Sequence, residues 1–590
     1  MHSRLFAVPK DPVLSLAVQA RMTTPKVEEH RQFIVLVHHF LERFFNNDMA
    51  ASDGEAKSRM IQIACTIGLP GFIMALYLYP AYHLPRGTRP YWSQAGDHFF
   101  YVMYSLVAMG IITIFEWDLF FPDLLDVFVL TSLPVENRRL FRARIAAIAI
   151  FIAGFLFDSN FLAPLVLPAA TDPPNLIRLL MAHLVAVSMS GIFAAALFLA
   201  LQGLLLAALG EYLFRRISLW LQGISVAALL TILFLYPVLF GTLNALLHAK
   251  TKVVLCLPPF WFLGIYQRLL EGPSVLPVFA LLAKIGCAAT LLAMSLAIFF
   301  YPFAYWRRTR GLVEGAAARL SKRRLSVSFN LLRRPVGRAI WQFIGQTLPR
   351  VSRYRMYLVM YGGLGSPLIL ASVLRVNAAH GSVRINLSDA GLRATIPIVA
   401  FWTVSGLRTV FLSPADQRGT WIFRVIQGKP GAEPLTAARS WVFLWAMILT
   451  MGAAALVCVI VPGAVAPVNG WQFAAGQILV ATGLSLLLTD AFFLNVRTLP
   501  FTGQRPASAQ NLALVLIRHY GFFPPLVLFT IAAEPWIEAG MWHLAVTALA
   551  VAMAHLCMEK IYRRSIAQHV ALTGLDENEE EFPLRLGLRY

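Results

Sequence analysis

The chain has 590 residues, of which 58% are hydrophobic and 14% charged. Soluble globular domains run at about 45–50% apolar and about 25% charged, so a soluble enzyme or binding module is excluded and a polytopic membrane protein fits both figures. The formal charge of +20 does not argue for nucleic acid: no RNP, zinc-finger or helix-turn-helix pattern accompanies it, and most of the excess lies in loops between apolar runs, as the positive-inside rule places it.

Residues 1–31 read as a flexible cytoplasmic leader. The segment carries Arg4, Lys10, Arg21, Lys26 and Arg31, has no apolar core of a secretory signal, and contains Met22 as a second candidate start. Gln32 to Phe45 then repeats at the helical period. Phe33, Ile34, Val37, Phe40, Leu41, Phe44 and Phe45 fall on one face, with His38, His39, Glu42 and Arg43 on the other. The segment is too short and too polar to span, and is expected to lie in the headgroup plane. His38 and His39 point about 100° apart on a helix and do not chelate together.

A bilayer core needs about 20 apolar residues per helix. Runs of that kind lie near 61–82, 98–117, 145–168, 179–208, 224–247 and 277–304. After a basic region, Arg307 to Arg355, further runs lie near 356–375, 393–412, 440–463, 472–494, 511–532 and 539–558. The expected fold is an all-α polytopic membrane protein of about twelve transmembrane helices. It divides into a first half at 32–305, a basic cytoplasmic linker at 306–337, a second half at 338–560 and a tail at 561–590. Lys and Arg in the short loops put both termini in the cytoplasm. In the second half Ile340, Trp341, Ile344 and Leu348 form a second interfacial stripe. The halves thus read as six-helix parallel pseudo-repeats, one of the repeat styles of transporters.

The stretch after the second run is the most unusual. Glu116 and Asp118 are followed by a half-apolar segment, then Leu133-Pro134, then Arg138, Arg139, Arg142 and Arg144 before the next apolar run. It is too polar for lipid and too patterned for a plain connector, and reads as a contact surface for a cytoplasmic partner. After the eighth run, Leu412-Ser413-Pro414 with Arg418 and Arg424 echoes it.

The loop 248–276 is apolar but contains Pro258 and Pro259, which do not continue a helix. It either dips into the outer leaflet or lies along the interface. No GxxxxGK[ST], HExxH or GxSxG motif occurs, so ATP hydrolysis within this chain is not expected. Cys65, Cys256, Cys287, Cys458 and Cys557 lack ligand or disulfide spacing and read as small buried hydrophobes. Asn386-Leu-Ser388 matches a glycosylation acceptor. Asp158 and Asp490 are candidate conduit residues, because an ionisable group inside a span marks a pathway. The loop 84–97 holds only Asp97, which argues against a polyprenyl-sugar glycosyltransferase.

This arrangement resembles the permease of ABC-2-type exporters. The likeness rests on the elbow at Gln32 to Phe45, the outer piece Leu257 to Leu270, and a coupling segment comprising Glu116, Leu124, Leu125, Leu133, Pro134, Arg138, Arg139 and Arg142. Where that family often has Gly-Thr before the leucines, this chain has Phe121-Pro122-Asp123. The second half matches more weakly and reads as the degenerate half of a fused permease. The resemblance implies a non-enzymatic, cofactor-free subunit of a bacterial inner membrane, surrounded by membrane lipids. It would move a lipid, polysaccharide, peptide or drug-like substrate outward. Its partner would be a cytoplasmic ATP-binding subunit that contacts Glu116, Asp118, Leu133, Pro134, Arg138, Arg139, Arg142, Pro414 and Arg418, and a second permease chain is a further candidate. The alternative is an ATP-independent secondary transporter or lipid flippase, which would carry ionisable or broken-helix sites near the midplane.

Overall fold

The computed structural model describes residues 25–45, 56–83, 89–130, 132–171, 173–248, 252–317, 335–379, 382–413, 432–460, 470–494, 496, 500–501 and 512–573. Among these residues, ten helices are long and apolar enough to cross a membrane. Within lipid every backbone polar group must be paired inside the segment, and a helix does this without a partner. The chain is a multi-pass, predominantly helical membrane protein.

The first half opens with α1 (Pro25–Phe45), which begins earlier than its apolar stripe. Leu36, Val37, Phe40 and Phe44 turn inward, whereas Ile34 and Val35 face out. The buried face packs on α5 (Asn137–Thr171). Between them in sequence come α2 (Ala56–His83), α3 (Tyr91–Phe115) and the short α4 (Leu124–Leu130). The two runs expected at 179–208 and 224–247 are two spans that meet at a kink with no loop between them. They form α6, Leu176 to Phe234, which is broken at Gly210, where φ is +72° and ψ is 171°. That conformation is essentially restricted to glycine. The interruption leaves carbonyls without intrahelical donors, and the Arg307 guanidinium supplies one to Ala207.

α7 (Tyr236–His248) and α8 (Lys252–Cys256) lead to α9 (Pro258–Glu271). Here Pro258 and Pro259 start a helix rather than interrupt one, since a first-turn proline has no N–H to waste. Gly272, at φ +70°, ends it. α9 is packed between α3, α6 and α10 (Pro277–Ala317), with Phe260, Phe262, Leu263 and Tyr266 all at 0% exposure. A helix enclosed this way is an inserted element, not one lying on a surface. Gly264 allows the approach: a Cβ there would come within 2.7 Å of the Phe279 carbonyl oxygen. α10 also runs past the expected start of the linker, and Arg308 on its last turns is buried.

The second half begins with α11 (Pro335–Arg350), whose Ile344 is buried and whose Trp341 indole donates to the Ala437 carbonyl at 2.9 Å. α12 (Ser352–Val373) follows, and then a departure from an all-α fold. β1 (Leu374–Ala379) and β2 (Ser382–Leu387) pair antiparallel, Leu374 opposite Leu387. Asn386 lies in this hairpin. Ser388 then caps α13 (Asp389–Leu412), its hydroxyl accepting from the Gly391 N–H at 3.3 Å. The remaining helices are α14 (Ala432–Ile460), α15 (Gly470–Phe493), α16 (Leu512–Glu538) and α17 (Met541–Thr573). The stretch 533–538, between the runs expected at 511–532 and 539–558, falls inside α16, and α17 continues into the expected tail. The halves meet where Val359 of α12 packs over Gly223 and Gly363 faces Val226 of α6. Cys256, Cys287 and Cys557 are exposed rather than buried, and these three and the half-buried Cys458 are unbridged.

Candidate partner-docking surface

The stretch that follows α3 folds back under the spans. Trp117, Phe120 and Phe121 are each at most 1% exposed. Asp123 then opens α4 with a reciprocal cap: its Oδ1 accepts the Asp126 N–H at 2.7 Å, while its own N–H points at the Asp126 carboxylate at 3.5 Å.

The organising side chain is Arg144, one turn beyond Leu140 on α5 and 2% exposed. Its guanidinium donates to the Leu119 carbonyl at 2.7 Å, the Phe120 carbonyl at 3.2 Å and the Phe121 carbonyl at 2.8 Å. A further bond, 2.9 Å long, goes to the Asp126 carboxylate. Arg43 of α1 pairs with both Asp123 and Asp126. The Arg144 guanidinium also lies 5.0 Å from the centroid of the Phe40 ring of α1. Tyr301 of α10 donates to the Phe120 carbonyl at 2.8 Å. The short helix is therefore clamped to the elbow, to α5 and to α10. Such a buried network is poor evidence of net stability but specifies one arrangement, and an object pushing on α4 pushes on three other helices.

The structure divides the residues expected at the contact surface. Leu133 and Pro134 form an exposed turn, and Asp118, Arg138 and Arg142 are exposed. With Phe128 at 54%, Val129 at 56% and Leu133 at 46% exposure, α4 presents an outward apolar knob flanked by two arginines four residues apart. Arg139 differs from that expectation: it turns to the elbow, bonding Gln32 Oε1 at 2.8 Å and Glu29 Oε1 at 3.2 Å. Glu116 differs too. Its Oε2 is buried with no hydrogen-bond partner among the described residues, and burial pushes its carboxyl up to about 7. Pro414 and Arg418 lie outside the described residues.

Asp126, Arg43 and Arg144 are the residues that local reading misplaces. Arg43 reads as one more residue of a polar face, and Arg144 as one more of a basic cluster. The helical period held the signal for Arg144. It shares a face with Leu140, Ala147, Ile148 and Phe151, all buried, while Arg138 and Arg142 do not.

Other buried polar groups are paired within the bundle. Asp490 is held by Arg439 and by His555 Nδ1 at 2.6 Å, which makes it a structural anchor rather than a free conduit group. Arg393 of α13 reaches Glu538 at 2.9 Å and Glu534 at 3.3 Å on α16, and Gln477 of α15 donates to both carboxylates. In the first half His98 stacks on Tyr266 at 4.2 Å, and the Tyr266 hydroxyl lies 3.3 Å from His183 Nδ1. Asp158 is half-buried, and its Oδ2 has no partner among the described residues. No group of three His, Cys, Asp or Glu placed to hold a metal occurs among the described residues. Compared with known protein-family models, curated proteins and solved structures, the chain matches none of them.

Proposed function

We propose that this chain is the membrane-spanning permease of an ABC-type exporter, driven by a separate cytoplasmic ATPase that seats on α4 and the turn after it. The observation that carries the reading is the clamped knob: Phe128, Val129, Leu133 and Pro134 stand outward beside Arg138 and Arg142, on a helix tied through Asp126 to Arg43 and Arg144. A free connector needs no such anchoring, whereas a surface that receives force does. The apolar knob would enter a groove on the ATPase and the two arginines would meet its acidic rim. Closure of the ATPase would then tilt α1, α5 and α10 together. In this reading α2 and α16 are also spans, which gives twelve, and both termini are cytoplasmic. The helix pairings support two related halves: in each, the elbow packs on the third span, the second span on the fourth, and the fourth on the sixth.

The test is recruitment. Tagged chain extracted in mild detergent is expected to bring down a nucleotide-binding subunit identified by mass spectrometry. Arg138→Glu with Arg142→Glu should reduce its yield several-fold while the amount of chain in the membrane stays constant. An unchanged yield removes α4 as the docking site, and no such subunit in any preparation removes the ATPase.

A second reading, an ion-coupled secondary transporter, is favoured by one observation. Glu534 and Glu538 share the single guanidinium of Arg393 deep in α13–α16, and Glu534 Oε1 has no partner among the described residues. Uptake or efflux in liposomes that responds to a proton gradient without ATP would select it.

A further inference from the structure

A groove of about 930 Å³ opens in the second half, floored by α11 and walled by one face each of α12, α13 and α14. Its polarity is graded. Gln342, Gln346 and Arg350 stand at the α11 end, and Ile369, Val399 and Ile448 at the other. The α12 wall is a stripe from Leu358 to Ile369, which at about 1.5 Å per residue is about 16 Å long. One leaflet of a ~30 Å hydrocarbon core has about that depth. Two glycines keep the space clear: a Cβ at Gly345 or at Gly362 would meet nothing within 4 Å. Arg350 is exposed, and among the described residues it has no ion-pair partner and the Trp402 indole N–H, on the wall, has no hydrogen-bond partner.

We propose that this groove holds one acyl chain of an anionic phospholipid, its phosphate at Arg350 and its glycerol ester near the Trp402 indole. The grading, polar at the α11 end and apolar at the other, fits an amphiphile. Among the described residues that line the groove, Arg350 is the cation, and at the shallow end it selects a negative headgroup. The depth equals one leaflet, so a lipid enters sideways without leaving the membrane. This site lies apart from α4 and does not depend on an ATPase.

The experiment is native mass spectrometry of the full-length purified chain, titrated with phosphatidylglycerol or phosphatidylcholine after detergent exchange. The unaltered chain is expected to retain phosphatidylglycerol several-fold more than phosphatidylcholine. Gly362→Phe, filling open space, should abolish the retained lipid while thermal stability stays at the unaltered value. Gly345→Leu tests the same point should the first variant not fold. Arg350→Gln should keep lipid but lose the preference between the two headgroups. Equal retention in the filled and unfilled proteins overturns the proposal. So does a preference that survives Arg350→Gln, or a change of oligomeric state on filling with lipid content unchanged, which would make the groove a contact between copies.

Discussion

Arg144→Met tests the clamp on α4 directly. The substitution keeps most of the side-chain volume and removes the guanidinium that serves the carbonyls of Leu119, Phe120 and Phe121 and the Asp126 carboxylate. Phe120 keeps Tyr301 as a donor and Asp126 keeps Arg43, so the loss falls chiefly on Leu119 and Phe121. Each buried carbonyl left without a donor costs about 1–3 kcal/mol. This agrees with the roughly 3–5 kcal/mol lost when one partner of a buried ion pair is removed. The opening equilibrium of the 117–136 segment should shift by that amount, which at about 1.4 kcal/mol per tenfold means amide exchange faster by about a hundredfold or more. Hydrogen–deuterium exchange with peptide-level readout measures it, and α15 and α17 serve as internal controls expected to stay unchanged. A double substitution, Arg144→Met with Asp126→Leu, should cost less than the sum of the singles by about 0.5–3 kcal/mol, because the groups share one network. If exchange in 117–136 matches the unaltered protein, α4 is not held by Arg144 and the argument for a force-bearing surface fails with it.

Two further outcomes follow from local chemistry. Burial raises Glu116 from 4.5 to about 7, so the folded protein holds a proton that the unfolded chain has released across that window. Stability therefore falls as pH rises from about 4.5 to about 7, by about 3 kcal/mol in all, and is flat above. Glu116→Gln should flatten thermal unfolding in detergent over the same range. The contribution of His39, lowered chiefly by burial, has the opposite sign and cancels in the comparison; parallel curves for the two proteins would refute the assignment. Gly210→Ala forces a side chain into a conformation only glycine adopts, 3.3 Å from Arg307 Nη2, and should destabilise by about 1–3 kcal/mol. Gly154→Ala, where a Cβ meets nothing within 4 Å, is the control and should be neutral or slightly stabilising. Equal melting temperatures for the two glycine variants would mean that the break at Gly210 is not strained against other residues.

Most of the spanning helices were legible as elements, though not to their ends, because lipid leaves the backbone no other choice. The expected run at 472–494 is α15 (Gly470–Phe493), and that at 393–412 is α13 (Asp389–Leu412). The elbow's inward Val37, Phe40 and Phe44 follow from a 3.6-residue period. The errors cluster where a local pattern has two tertiary outcomes. Pro258 and Pro259 mark a boundary in either reading, and only packing against α3, α6 and α10 decides that a buried helix begins there. Gly210 is one of many glycines in apolar sequence, and its special φ is visible only in the fold. The paired strands 374–379 and 382–387 sit where the apolar runs end, and the signal for them was the alternation of Val376, Val383 and Ile385 with polar residues on either side of His380-Gly381.

The membrane class and ten of the about twelve expected spans thus came from composition, since a bilayer core admits about 20 apolar residues per crossing and penalises everything else. What the fold alone settled is the direction of individual charges. Arg138 and Arg142 face outward, Arg139 turns to Glu29, and Arg144 is buried on Asp126. Four arginines in seven residues look alike in a count, and here those of 138–144 divide into two surface groups and two anchors. The reason is physical: a charge is buried only where partners from distant parts of the chain converge, and that convergence is a property of the packed helices, not of the segment that carries the charge.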